Sequence, residues 1–219
     1  MLETKFLESK SLAVILLGNF NPSIFQPFWL AKKELITEQE ALDAKIDVIH
    51  NELVVYDLGW AKIDVRVDRF EISTHSEPYF AIVKDLIVGI FVYLRETPIR
   101  ALGINNVFSL NLQDEVRYYD FGNKLAPLSN WDFVKAPRLA SLEILERERP
   151  DDHRGHYRIR IEADKAVKFG VSVLMNNHFD LDEQKKSNTI EVVSIIEKEW
   201  NNSITLAESN LTNIINKLS

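Results

Sequence analysis

The sequence predicts an α+β fold: a curved antiparallel sheet with helices on one face, built from a β-α-β(3-4)-α unit that occurs twice. Three observations predict it. From Pro78 to Glu96, Phe80, Val83, Ile87, Ile90, Phe91 and Leu94 recur at three- and four-residue steps, the periodicity of a buried helix face, and this helix runs straight into an apolar strand, Pro98 to Leu112. The stretches before and after that junction share an order of elements: strand, helix, three or four strands, helix. Several strands alternate between apolar and polar residues, as a sheet solvated on one face does. The two units are expected over 1–96 and 97–219.

Taken in order, Leu12 to Leu17 is a short apolar run closed by Gly18-Asn19 and reads as a buried strand. Asn21-Pro22 reads as an N-cap followed by proline at the first helical position, opening a helix to about Leu35 with Ile24, Phe25, Phe28, Trp29 and Leu30 for burial. Thr37-Glu38-Gln39-Glu40 matches a capping box. Ile46 and Val48, then Leu53 and Val55, suggest two strands joined near Asn51-Glu52. Ile63, Val65 and Val67 alternate with Lys62, Asp64 and Arg66, the clearest half-buried strand, and Phe70-Ile72-Thr74 continues the pattern beyond a turn at Asp68-Arg69.

In the second unit, Asp114 to Leu125 reads as a weaker helix with Val116, Tyr119 and Phe121 on its inner side. A loop follows from Ala126 and ends at Ala136-Pro137. Leu139 to Arg147, His156 to Glu162 and Phe169 to Met175 are three more strands, with a polar hairpin tip from Arg149 to Gly155. Asp180 to Asn188 is an acidic, lysine-containing loop. The last helix runs from about Thr189 to Leu218, with Val193, Ile196, Trp200, Ile204, Ala207, Leu211, Ile214 and Leu218 in a stripe near a 3.5 period. That stripe serves either the protein's own sheet or a partner. Asn201-Asn202-Ser203 are weak helix formers at its middle.

Composition narrows the classes. With 219 residues, 46% hydrophobic, the chain can bury a sizeable core, and its net charge of −7 with no basic block disfavours non-specific DNA binding. Cysteine is absent, which excludes disulfides, thiolate zinc sites, iron–sulfur clusters and cysteine nucleophiles. The first residues lack a signal-peptide pattern, and the longest apolar segment, Tyr79 to Leu94, contains Lys84 and Asp85 and is too short to span a bilayer. A soluble cytoplasmic protein is expected.

Each candidate for chemistry has a plainer reading beside it. Asp151-Asp152-His153-Arg154-Gly155-His156 gathers potential ligands, but between two strands it reads as a solvated hairpin tip. His178, Asp180 and Asp182 alternate and would share one side of an extended segment, as in a cation site or an acidic loop. A nuclease-type carboxylate two residues before Lys165 is missing, because that residue is Ala163. Arg158 and Arg160 point away from Tyr157, Ile159 and Ile161; with Arg100, Arg138 and Arg147 they offer an anion-binding patch, or, with Glu143, Glu146 and Glu162, a salt-bridged face. Gly103-Ile104-Asn105-Asn106 inside a strand suggests a bulge or bend. Phosphate loops, nucleophile elbows and zinc-helix motifs are absent.

The doubled order of elements resembles the saddle-like TATA-binding-protein fold, a likeness of topology that carries no function. Phe91-Val92-Tyr93-Leu94 followed by Ile99-Arg100-Ala101-Leu102-Gly103-Ile104-Asn105-Asn106 resembles the central segment of an uncharacterised, sporadically distributed bacterial protein family, in which a long helix enters a strand ending in a run like LGLRYIN. Asn105-Asn106 stand where that family often has an aromatic pair, and this chain is shorter than most members. The resemblance implies a fold and a bacterial origin.

Three functions are carried forward. The first is a non-enzymatic protein-binding or assembly module of a bacterial multi-protein system, with Trp200, Ile204, Leu211 and Ile214 as its interaction surface. The second is a nucleic-acid or nucleotide-binding protein using Arg100, Arg158 and Arg160 on the sheet face. The third is a metal-dependent hydrolase built on His153 and His156 or on His178, Asp180 and Asp182. The first is preferred, since no catalytic set assembles. No cofactor, resident metal or catalytic residue is expected; a protein partner or a second copy is, nucleic acid is possible but not favoured, and a membrane is not expected.

Overall fold

Alternation along the first strand, β1 (Leu7–Gly18), decides which side of the sheet becomes the core: Leu12, Val14 and Leu16 are buried while Ala13, Ile15 and Leu17 are only half-buried. The structure, a computed structural model, describes residues 5–149, 151–182 and 187–218. β1 pairs antiparallel with two strands that come much later, β5 (Arg69–Thr74) and β6 (Ile99–Asn111). Outward from β5 lie β4 (Lys62–Arg66), β3 (Leu53–Asp57) and β2 (Lys45–His50); outward from β6 lie β9 (Gly170–Asp180), β8 (Gly155–Asp164) and β7 (Ser141–Glu146). The result is one antiparallel sheet of nine strands among the described residues, so the fold is α+β as the sequence predicts.

Five α-helices complete the described elements: α1 (Pro27–Lys32), α2 (Glu38–Asp43), α3 (Phe80–Tyr93), α4 (Glu115–Leu125) and α5 (Thr189–Leu218). Their buried residues meet the same face of the sheet. One cluster joins Val14, Leu16, Ile63, Phe70, Ile72 and Ile104 to α3 and to the first turns of α5. A second joins Phe108, Leu110, Tyr157, Ile161 and Val173 to Phe121 of α4 and to Ala207, Leu211 and Ile215 of α5. α5 therefore bridges both cores, and its 30 residues make a rod of about 45 Å. Its buried positions are Thr189, Val192, Ile195, Ile196, Trp200, Ser203, Ala207, Leu211 and Ile215, one face of the helix laid along the sheet.

Several boundaries differ from the sequence reading. The helix expected from Pro22 to about Leu35 is broken. Asn21 caps only a 3₁₀ turn, Pro22–Ile24, and Gln26 is extended before Pro27 opens α1, because the residue preceding proline is pushed out of the helical region. Phe28 is consequently exposed while Phe25 and Leu30 are buried. In α4, Phe121 is buried, but Val116 and Tyr119 face outward; Tyr118 and Leu125 share the inner stripe instead. The run through Asn201, Asn202 and Ser203 stays helical: both asparagines face solvent, and the buried serine hydroxyl accepts a hydrogen bond from Asn177 Nδ2 at 2.7 Å. The capping box at Thr37 and Glu40 forms as read, with both reciprocal bonds present.

The first core centres on four phenylalanines, Phe20, Phe25, Phe70 and Phe91, with Phe91 edge-on to Phe70 at 5.3 Å between centroids. Edge-to-face contacts of this kind add to plain area burial. Phe91→Ala should lower the free energy of unfolding by about 3–5 kcal/mol, read by urea denaturation. The exposed Phe28→Ala should move it by less than about 0.5 kcal/mol.

Candidate functional site

The face away from the helices can be read in rows across the ladder, since directly opposed residues share a side. From one end the rows across β1, β6, β9 and β8 are Leu17, Ala101 and Asp180; Ile15, Gly103, His178 and His156; Ala13, Asn105, Asn176 and Arg158; Ser11, Val107, Leu174 and Arg160. No apolar cluster covers this face among the described residues. It has a half-buried apolar middle, with Ile15, Leu17, Val107 and Leu174, flanked by charged strands.

Arg158 and Arg160 lie on this open face, as their alternation with Tyr157, Ile159 and Ile161 predicts. Arg160 is engaged by a carboxylate and Arg158 only loosely. Arg160 Nη2 is 2.8 Å from Glu162 Oε2, and Arg158 Nη1 is 4.0 Å from Glu143 Oε1. Arg66 pairs with Asp64 and Arg69 with Glu71 on the other flank. Arg100 sits at the start of β6, where its Nη1 donates to the Gly18 carbonyl oxygen at 3.3 Å. Arg138 is drawn away to the helix side, 4.3 Å over the Tyr119 ring.

Gly103 to Asn106 make no bulge: the β1–β6 register is unbroken there. The asparagines instead form a polar seam through the sheet. On the open face Asn176 Nδ2 donates to Asn105 Oδ1 at 2.8 Å, and Asn105 Nδ2 donates to the Ala13 carbonyl at 3.1 Å. A side chain at position 103 would press to 2.9 Å from Asn176 Nδ2, so glycine leaves the room this pair needs. On the helix face Asn177 Nδ2 reaches Ser203 Oγ at 2.7 Å, and Asn106 Nδ2 points at the Ser203 carbonyl at 3.5 Å. β9 continues to Asp180, five residues past the expected Met175, because it is paired with β6 as far as Ala101 and with β8 as far as Gly155.

The segment read as a solvated hairpin tip is partly tucked in. The Arg149 side chain is 6% exposed. It grips Asp151 with two bonds, at 2.8 Å and 2.6 Å, and Nη1 donates to Asn177 Oδ1 at 2.6 Å and to the His178 carbonyl at 3.0 Å. Its guanidinium lies 4.3 Å over the Phe179 ring. The His153 ring meets the same phenylalanine edge-on, and its Nε2 is 3.6 Å from Glu199 Oε1 on α5. The hydrogen bond from Arg149 holds the Asp151 carboxyl below its ordinary value. Arg149 was read only as the edge of a loop; the signal that could have marked it is the polar pair Asn176-Asn177 placed opposite it.

His156 and His178 face each other across β8 and β9 with rings stacked at 4.5 Å, and His178 Nε2 lies 3.1 Å from Asp180 Oδ1. Burial, then the neighbouring His178 and Arg158, push the His156 imidazole below 6.5. Asp182 does not extend this set, because β9 ends at Asp180, and Glu183 lies outside the described residues. Among the described residues no group of three or more histidine, aspartate and glutamate side chains could hold a metal ion. No described helix is long and apolar enough to cross a membrane.

The stripe assigned to a partner is largely taken by the chain itself. Trp200 and Leu211 are 4% and 0% exposed, and Ile204 and Ile214 are partly buried against the two cores. The period of a seam and the period of a helix on a sheet differ too little for the sequence to separate them.

The class defined by these features is an antiparallel sheet roofed on one side, with a salt-bridged and partly apolar open side. No protein-family model matches the sequence, and comparison with curated proteins returned no match.

Two outcomes follow from the site. Arg149→Ala leaves Asp151, Asn177 Oδ1 and the His178 carbonyl without their partner and should lower stability by about 3 kcal/mol in urea unfolding. A His156 held below 6.5 binds its proton less readily folded than unfolded. Stability should therefore fall as pH drops below 6.5, and His156→Gln should flatten that fall, measured as the unfolding midpoint from neutral pH to about pH 5.

Proposed function

We propose that this chain is a non-enzymatic protein-binding module, an assembly part of a bacterial multi-protein system, and that it engages its partner through the open face of the sheet. One observation carries this reading. The helices cover one side only, while the other presents Ile15, Leu17, Val107 and Leu174 half-buried between flanks whose arginines are already paired with carboxylates. A partly apolar centre with a polar rim is the anatomy of a protein interface. A phosphate backbone needs unneutralised cations, and the pairing of Arg66, Arg69 and Arg160 argues against that use.

We also infer that the scaffold is a duplicated unit forming a curved sheet. Support comes from the strand order, which runs outward from the centre as β1, β5, β4, β3, β2 on one side and β6, β9, β8, β7 on the other, so that the halves match apart from the additional edge strand β2. In each half the first strand pairs with the last, and a long helix follows. Membership of the bacterial family suggested by the Phe91–Asn106 segment belongs to the same proposal.

The test is partner capture by the tagged full-length chain from its source cells, quantified by mass spectrometry. Val107→Glu on the open face should reduce the captured protein at least tenfold. Ile82→Glu, on the exposed side of α3, should leave it unchanged. Capture indifferent to Val107→Glu, or nucleic-acid binding that weakens steeply with salt, would overturn the reading.

A further inference from the structure

The sheet ends at two strands, β2 and β7, and they are built differently. β2 is bulged between Ile46 and Val48, and Asp47 at the bulge is 3.3 Å from Lys62 Nζ. A bulge spoils the register an incoming strand would need. β7 pairs with β8 without a shift from Ser141 to Glu146 and contains neither proline nor glycine. Its outer N–H and C=O groups thus form a regular row at the rim of the sheet, a template for one more strand.

The side chains along that row have a readable chemistry. Ile144 and Leu145 are 53% and 43% exposed, and they lie on opposite faces of the strand. Glu143 and Glu146 are exposed beside them. Glu143 is only at the 4.0 Å limit of an ion pair with Arg158, and Glu146 sits opposite Tyr157, not a cation.

We propose that β7 is a docking edge for an extended basic segment of a partner protein, with apolar residues beside Ile144 and Leu145 and lysine or arginine beside Glu143 and Glu146. A second copy fits worse, since β7 itself carries two glutamates and no lysine or arginine, so β7 against β7 brings no cation to either of them. The proposal rests on the protein-binding reading above but concerns a different surface.

The probe is a labelled ten-residue peptide centred on the sequence lysine-isoleucine-isoleucine-lysine, the order that faces Glu143, Ile144, Leu145 and Glu146 in turn, titrated into the full chain by fluorescence anisotropy. Two further peptides carry glutamate in place of lysine, or a methyl group on every backbone nitrogen. The lysine peptide should bind at least tenfold tighter than either, and should slow amide exchange within 141–146. The double variant Glu143→Lys/Glu146→Lys should lose at least tenfold in affinity, whereas Glu38→Lys/Glu52→Lys, which changes charge equally elsewhere, should not.

Equal binding of the methylated peptide, protection outside β7, or a dimer in sedimentation whose β7 amides are already protected would overturn the assignment. Should the double variant fail to fold, the methylated peptide and the exchange pattern of the unaltered chain still decide it. Failure here with partner capture still sensitive to Val107→Glu removes only the edge; the reverse result removes only the open-face reading.

Discussion

The pairing of β1 with β6 holds the rest in place. It runs from Leu7 opposite Leu110 to Gly18 opposite Ile99, nearly the full length of both strands. Each strand then gives its other edge to its own half, β1 to β5 and β6 to β9. Buried backbone groups at the centre have no water to turn to, so this ladder must be complete. Because successive residues alternate sides, one register also decides which apolar residues of both halves point together. A slip of one position would turn Leu12, Val14 and Leu16 to solvent and empty the first core.

Onto that register α5 is laid as a beam across the two cores. Its middle is the least apolar part, and there the sheet offers Asn106 and Asn177 to Ser203. A buried polar group without a partner is costly, so matched partners on the two layers fix where the helix can sit. Arg149 adds a second constraint by joining the β7–β8 connection to Asn177 and the His178 carbonyl while stacking on Phe179. Packing alone would tolerate small slides of a helix over a sheet; the polar seam does not.

The open face follows from the same asymmetry. Helices spend their apolar stripes on one side, and the other is left with a half-buried apolar middle, Ile15, Leu17, Val107 and Leu174, between polar and charge-paired residues. Arg158 and Arg160 illustrate how far sequence carries a site: their side of the strand was legible from Ile159 and Ile161, and Glu162 stands beside Arg160 on the same strand, but the carboxylate near Arg158 depends on which strand becomes its neighbour. Glu143 reaches Arg158 only because β7 pairs with β8 in one register.

Local information was sufficient wherever an element is specified by its own residues. The α3 periodicity, the capping box at Thr37, the alternation in β4 and β5 and the span of α5 could all be read along the chain, because hydrogen bonds within a turn and burial of one stripe are short-range consequences of residue order. The break before Pro27 was also local, though its effect on Phe28 was missed. Contacts between distant segments decided the rest: that β1 and β6 are neighbours, that Asn105 and Asn176 bond across strands, that Arg149 is buried, and that Trp200 and Leu211 belong to the chain's own core. Those depend on strand pairing over long separations, and no pattern within a single segment encodes which edge another segment will meet.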